Sequence, residues 1–205
     1  MKIAIIGTGN VGGALAGKWA EAGHELFLGV QDPATFDNES LSALPNTTVH
    51  GVAAAVEAAA VVLLATPALA TIKVTQSLGD TTGKTIIDAM NIVMGKGPEG
   101  YTNTTDAILA NTASTDVVKC FNTTGYNNIV DTGYHGIAID TFVCGDSLSA
   151  KKVAAALAAD AGFGSCIDVG GNEHFSLMEQ FAWFWINLAG FQGQGRDIAF
   201  KLLRR

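Results

Sequence analysis

Apolar residues fall along the chain in short runs, and their spacing alternates between that of a strand and that of a helix. Residues 2–6 form an isoleucine-rich run of strand length, and an alanine-rich stretch with helical spacing follows to about Ala22. Residues 25–29 read as a second strand, opened by the turn Ala22-Gly23-His24. Residues 47–50 read as a short third strand, and residues 52–58 as a helix. The segment 60–64, Ala-Val-Val-Leu-Leu, is apolar throughout, as in a parallel strand buried on both faces. After Thr66-Pro67 a helix is predicted over 68–78, with further strands over 85–89 and 116–120. Alternating strands and helices predict an α/β fold, a Rossmann-type doubly wound parallel sheet.

Past residue 125 the rhythm changes. Residues 136–144 and 163–169 are strand-like and flank an alanine-rich helix over 147–159. The tail from 173 to 203 reads as largely helical and carries Phe181, Trp183, Phe184, Trp185 and Phe191. Gly193 and Gly195 are expected to divide it, because glycine in a helix costs ~1 kcal/mol against alanine. The expected organisation is a dinucleotide-binding domain over 1–124 and a smaller C-terminal lobe over 125–205 that packs on it and completes the pocket. The aromatic tail fits either core packing or a homodimer contact, since apolar patches of that size rarely stay uncovered.

Composition narrows the function classes. The chain has 205 residues, 48% of them hydrophobic, enough for a large core. No apolar run approaches the roughly 20 residues that span a bilayer. The N-terminal apolar run is too short for a secretory signal and has no cleavage site, so a cytoplasmic protein without a membrane partner is expected. A net charge of −7, with no cluster of cations, argues against nucleic acid. Cys120, Cys144 and Cys166 sit in apolar segments and read as reduced thiols. His24, His50, His135 and His174 lack ligand spacing, so no metal site is expected.

The chemistry begins at Gly7-Thr8-Gly9-Asn10-Val11-Gly12, a G-x-G-x-x-G turn placed directly after a strand and opening a helix. There the first glycine permits the tight turn, the second lets a pyrophosphate approach the backbone, and the third lets helix and strand pack closely. About 20 residues later such folds normally carry an acid for a ribose 2′-hydroxyl or an arginine for a 2′-phosphate. This chain has Val30, Gln31 and then Asp32, and no lysine or arginine between Lys18 and Lys73. Only His24, His50 or a cation from far along the chain, such as Arg196, could meet a 2′-phosphate. The residues themselves therefore lean toward NAD(H) or toward accepting both dinucleotides.

Together with this turn, the segments AGHELFLGVQDP, LLATP, IIDAMN, VVKCFNTTG and FWINLAGFQGQGRDIAFKLLR resemble the coenzyme F420-dependent NADP reductase family, in its bacterial branch. The same fold resembles the cytosolic reductase domain of membrane metalloreductases. The resemblance implies NADP(H) as cofactor and a flavin or coenzyme F420 as second substrate, with no residue covalently involved. Val30-Gln31 departs from it, because the family has a small hydroxyl residue and an arginine there. The resemblance also places Ala65, Thr66 and Pro67 beside the nicotinamide ribose and Asn91 at the nicotinamide end. Phe121, Asn122 and Thr123 would line the second-substrate pocket, although Phe121 could equally be core. Thr66-Pro67 could equally be an ordinary turn into a helix.

No catalytic acid–base pair is visible. Lys119 lies within a strand and is expected to turn its charge outward. The expected activity is hydride transfer between NAD(P)H and a flavin or deazaflavin. Its rivals are a dehydrogenase or imine reductase of a small metabolite, and a non-catalytic redox sensor.

Overall fold

The computed structural model describes residues 1–205. Six strands run parallel: β1 (Lys2–Ile6), β2 (Glu25–Val30), β3 (Thr47–Gly51), β4 (Val61–Leu64), β5 (Thr85–Asp88) and β6 (Val117–Cys120). Their order across the sheet is 3-2-1-4-5-6, the doubly wound arrangement expected. Alternation along each strand builds two cores. Ile3, Ile5, Leu26, Leu28 and Leu63 face one layer, while Ala4, Ile6, Phe27, Val62 and Leu64 face the other.

The first layer is covered by α1 (Asn10–Glu21), which buries Leu15, Ala16 and Trp19, and by α7 (Leu148–Asp160). The second is covered by α3 (Val52–Ala58), α4 (Thr71–Ser77) and α5 (Thr104–Asn111). Two short helices complete the set before α7, α2 (Glu39–Ser42) and α6 (Tyr126–Val130). The sequence reading missed α2, α5 and α6. In α5 the signal was present but brief: Asn103 caps the helix by accepting from Asp106 N at 2.8 Å, ahead of two threonines with poor helix propensity.

Residues 125–205 do not stand apart from the sheet. β9 (Asp140–Cys144) pairs antiparallel with β6, and β10 (Ser165–Asp168) pairs parallel with β9, so one eight-stranded sheet crosses the 124/125 boundary. The strand expected over 136–144 is two elements. β7 (Gly133–Tyr134) and β8 (Ile137–Ala138) form a hairpin, because His135 and Gly136 both take positive φ, the two-residue turn that suits paired strands.

The tail is helical only through α8 (Phe175–Ile186) and a π turn over Asn187–Phe191. In α8, Phe175, Met178, Ala182 and Trp185 recur at helical spacing and are buried. Phe181 packs against Phe142 and Phe200, with ring centroids 5.0 and 4.6 Å away, while Trp183, Phe184 and Phe191 stay exposed. Gly193 and Gly195, both left-handed, follow the last helical turn, and no regular structure follows. Residues 200–202 instead lie against Asp140 at the start of β9. Asp140 N donates to Phe200 O, while its carboxylate accepts from Lys201 Nζ at 2.7 Å and Leu202 N at 2.9 Å. No helix is long and apolar enough to cross a membrane.

Candidate functional site

Both candidate cavities open at the carboxyl ends of the parallel strands, where such sheets bind ligands. The glycine turn stands between them. Gly7 takes φ +108°, and a Cβ there would lie 2.5 Å from Ala65 O; a Cβ on Gly12 would lie 1.8 Å from Gly7 O. These two glycines hold the turn tight against β4. A Cβ on Gly9 would meet nothing within 4 Å, so the space above the turn is open. Gly9 caps α1 without a side-chain bond, and the first turn contains no acid. Unpaired N–H groups at a helix start, with open space beyond them, fit a pyrophosphate.

On one side lies a cleft of about 930 Å³ lined by Gly7, Thr8, Val30, Gln31, Thr66 and Lys73, among others. Lys73 projects from α4 and is the only cation on this lining. The sequence marked it as the end of a cation-free stretch, but only the fold brings α4 across from Gln31. The other cations considered lie elsewhere. His24 is buried between the N-terminal amine and Asp160, at 2.7 and 2.9 Å; His50 Nε2 pairs with Thr48 Oγ1; Arg196 lines the second cavity. Asp32 and Asp37 also border the cleft, and Asp32 Oδ1 accepts from Ala34 N at 3.0 Å to cap a short turn.

On the other side is a cavity of about 270 Å³, built from Asn10 and Val11 of α1, Asn91 after β5, Asn122 and Tyr126 after β6, Trp185 of α8 and Arg196 of the tail. Two asparagines meet here reciprocally. Asn91 Nδ2 donates to Asn122 O at 2.8 Å, and Asn122 Nδ2 donates to Asn91 Oδ1 at 2.8 Å and to Met178 O at 3.2 Å. Asn122 is 4% exposed and its Oδ1 has no partner.

Other expected site residues fall outside both cavities. Ala65 lies beneath the glycine turn, and Pro67 leads into α4. Thr66, by contrast, does line the larger cleft, and its hydroxyl donates to Met90 Sδ at 3.2 Å. Phe121 belongs to the core rather than to the pocket. Its ring meets Trp19 edge-on at 5.7 Å, and its left-handed backbone (φ 62°) bends the chain at the end of β6. Such a conformation costs of order 1–3 kcal/mol in a non-glycine residue, and it persists here because the aromatic packing fixes it. Thr123 is buried and does not reach the cavity, whereas Thr124 does.

Lys119 is fully buried rather than turned outward. Its ammonium lies 2.7 Å from Asp88 Oδ2 and 3.0 Å from Glu179 Oε1, and it donates to Thr104 Oγ1 and Met90 O. Two carboxylates from β5 and α8 supply the compensation that a buried charge requires. Burial alone pulls its pKa down, but Asp88 and Glu179 outweigh it and hold the ammonium above the ordinary lysine range. The same carboxylates grip the loop around Asn91: Met90 N donates to Asp88 Oδ1 and Ile92 N to Glu179 Oε2, both at 2.8 Å. Lys119 is thus the centre of a clamp that positions Asn91.

Tyr126 is a functional candidate that sequence reading missed, and Arg196, considered there only for a 2′-phosphate, lines the smaller cavity instead. The Arg196 guanidinium sits 5.3 Å from the Tyr126 ring centroid and 5.8 Å from that of Trp185. A tyrosine just past a parallel strand was the available signal for the first. Nothing local announces the second. Cys120 and Cys166, remote in sequence, bring their sulfurs within 4.0 Å, and burial pushes the Cys120 thiol well up.

Comparison with known proteins agrees with this geometry. Residues 2–92 match the family model described as NADP oxidoreductase, coenzyme F420-dependent. That match spans less than half of the chain, which is an NAD(P)-dependent oxidoreductase. A crystal structure assigned as an F420-dependent NADP-reductase from Arthrobacter sp. FB24 is 29% identical, with a TM-score of 0.85 and 100% of both chains covered. A hypothetical protein from Sinorhizobium meliloti is 24% identical at TM-score 0.71, covering 83% of this oxidoreductase and 85% of that chain. A reductive aminase from Aspergillus terreus, solved with NADPH4, cyclohexanone and allyl amine, shares the fold at 19% identity and TM-score 0.65; the match covers 94% of this chain and 62% of that one. Among proteins with curated descriptions, none matches the sequence.

Proposed function

We propose that this oxidoreductase passes a hydride between a nicotinamide dinucleotide and a flavin or deazaflavin-type second substrate. The observation that carries the reading is the lining of the smaller cavity, which offers amides, aromatic and apolar walls and one arginine, but no aspartate, glutamate, lysine or histidine. Lys119, the nearby candidate proton donor, is committed to Asp88 and Glu179. Hydride transfer between two rings needs them held together with water excluded, and little proton chemistry.

When bound, the nicotinamide supplies or takes up the hydride. The residues for holding the dinucleotide follow from the cleft: N–H groups at the start of α1 for the pyrophosphate, with Gln31, Thr35 and Lys73 at the adenosine end. Asn91 and Asn122, fixed on each other, orient what enters the smaller cavity. With glutamine at position 31 and Lys73 across the cleft, both NAD(H) and NADP(H) are accepted, and Lys73 supplies what preference for the phosphate exists.

A second reading, reduction of a small carbonyl or imine, is favoured by Tyr126, whose phenol lines the cavity and can donate a proton. NADPH oxidation followed with FMN, and separately with a cyclic imine in the absence of flavin, distinguishes the two. Flavin reduction that survives Tyr126→Phe is expected. Imine turnover that Tyr126→Phe abolishes, with no flavin reduction, would replace the first reading with the second.

A further inference from the structure

Arg196 is exposed and forms no ion pair with any carboxylate of the chain, yet its place is fixed. Asn127 Nδ2 and Asn128 Nδ2 donate to Arg196 O at 3.0 and 3.3 Å. Two residues on, Ile198 O accepts from Asn128 Nδ2 at 2.8 Å and from Trp185 Nε1 at 2.7 Å. Three side chains thus pin the backbone, and the rings of Tyr126 and Trp185 flank the guanidinium. The adjacent acid, Asp197, turns to Asn127 Nδ2 instead, at 2.9 Å. An arginine so held keeps its planar fork of donors free, and that fork matches a carboxylate or phosphate. The same cavity contains Asn122, buried and with an unpartnered Oδ1, where an N–H or O–H donor on a ligand would complete the bonding.

We propose that the second substrate carries an anionic arm, a carboxylate or phosphate, that Arg196 binds while the reacting part of the molecule occupies the cavity beside Asn122. This rests on the reading of the cavity as the second-substrate site, and it names the charge that the substrate must carry. The guanidinium then acts as a specificity-determining group, discriminating against neutral molecules of the same shape.

The test uses two probe pairs that differ only in the anionic arm: FMN against riboflavin, and 2-oxo-4-phenylbutyrate against 4-phenylbutan-2-one. Dissociation constants are measured by calorimetry with NADP+ present, for the parent, Arg196→Gln and Arg196→Lys, with melting temperatures to confirm that each variant is folded. In at least one pair the anionic member should bind the parent about tenfold or more tightly, which corresponds to about 1.4 kcal/mol per tenfold. Arg196→Gln should erase that gap, and Arg196→Lys should keep part of it. A gap in the oxoacid pair without flavin binding would sink the flavin reading and leave the role of Arg196 standing. FMN and riboflavin binding equally, with no gap in the oxoacid pair, would do the reverse. Equal or absent binding within both pairs, or a gap untouched by Arg196→Gln, would overturn the proposal.

Discussion

The two cavities beside the glycine turn are built in different ways. The larger cleft is lined mostly by short consecutive segments: the turn itself, the end of β2 and the residues after it, the start of α3, and one face of α4. The smaller one is made of side chains from regions far apart in sequence, and its geometry depends on a buried ion cluster that touches neither cavity wall directly. The first kind of site tolerates changes in most side chains but not in its glycines. The second depends on each amide and ring staying where its neighbours hold it. Dinucleotide binding and second-substrate handling should therefore be separable by mutation.

The largest effect should come from the clamp. Lys119→Met leaves Asp88 and Glu179 buried together without a counter-charge, and breaking a buried pair in this way costs about 3–5 kcal/mol. Urea unfolding should show that loss, or no folded protein at all; a loss below about 1 kcal/mol would contradict the clamp. Because folding raises the Lys119 pKa, its contribution is complete below the ordinary lysine range and fades only as pH climbs through the raised value.

Gly9→Val comes next. The open space at Gly9 predicts a variant that folds like the parent yet loses NAD(P)H affinity by about a hundredfold or more, about 2.7 kcal/mol. Calorimetric titration giving parental affinity would remove the pyrophosphate from that turn. Gln31→Arg adds a charge-assisted bond worth about 1.5–3 kcal/mol, a roughly 10- to 150-fold gain for NADP(H) with NAD(H) little changed. Asp32 can blunt the gain by pairing with the new arginine. Smallest is Lys73→Ala: an exposed charge contributes about 0.2–1 kcal/mol, so NADP(H) should weaken by at most about fivefold while NAD(H) holds. Equal weakening of both dinucleotides would show that Lys73 does not read the 2′-phosphate.

The contrast also explains what the sequence could show. The glycine turn, the parallel strands and position 31 lie in contiguous stretches whose periodicity or spacing carries their meaning, and the doubly wound sheet follows from them. Lys73, Tyr126 and Arg196 acquire theirs only when α4, α6 and the tail are folded against the strand ends. Lys119 was misread for a related reason. A lysine in a strand normally turns outward, and only the convergence of Asp88 from β5 with Glu179 from α8 makes burial tolerable. The tail looked helical through its aromatic spacing, yet past Phe191 two left-handed glycines release it to be held by Asp140, Trp185 and Asn128 instead.

The separability of the two regions is tested most directly by one paired measurement on Asn122→Ala: the NADPH dissociation constant, and the rate of anaerobic hydride transfer from bound NADPH to FMN. Removing one member of a buried amide pair costs about 1–3 kcal/mol. The prediction is a transfer rate at least about fivefold lower with NADPH affinity unchanged within about twofold. NADPH affinity falling as far as the transfer rate, or FMN reduced at the parental rate, would contradict the assignment of Asn122 to a second-substrate site distinct from the dinucleotide cleft.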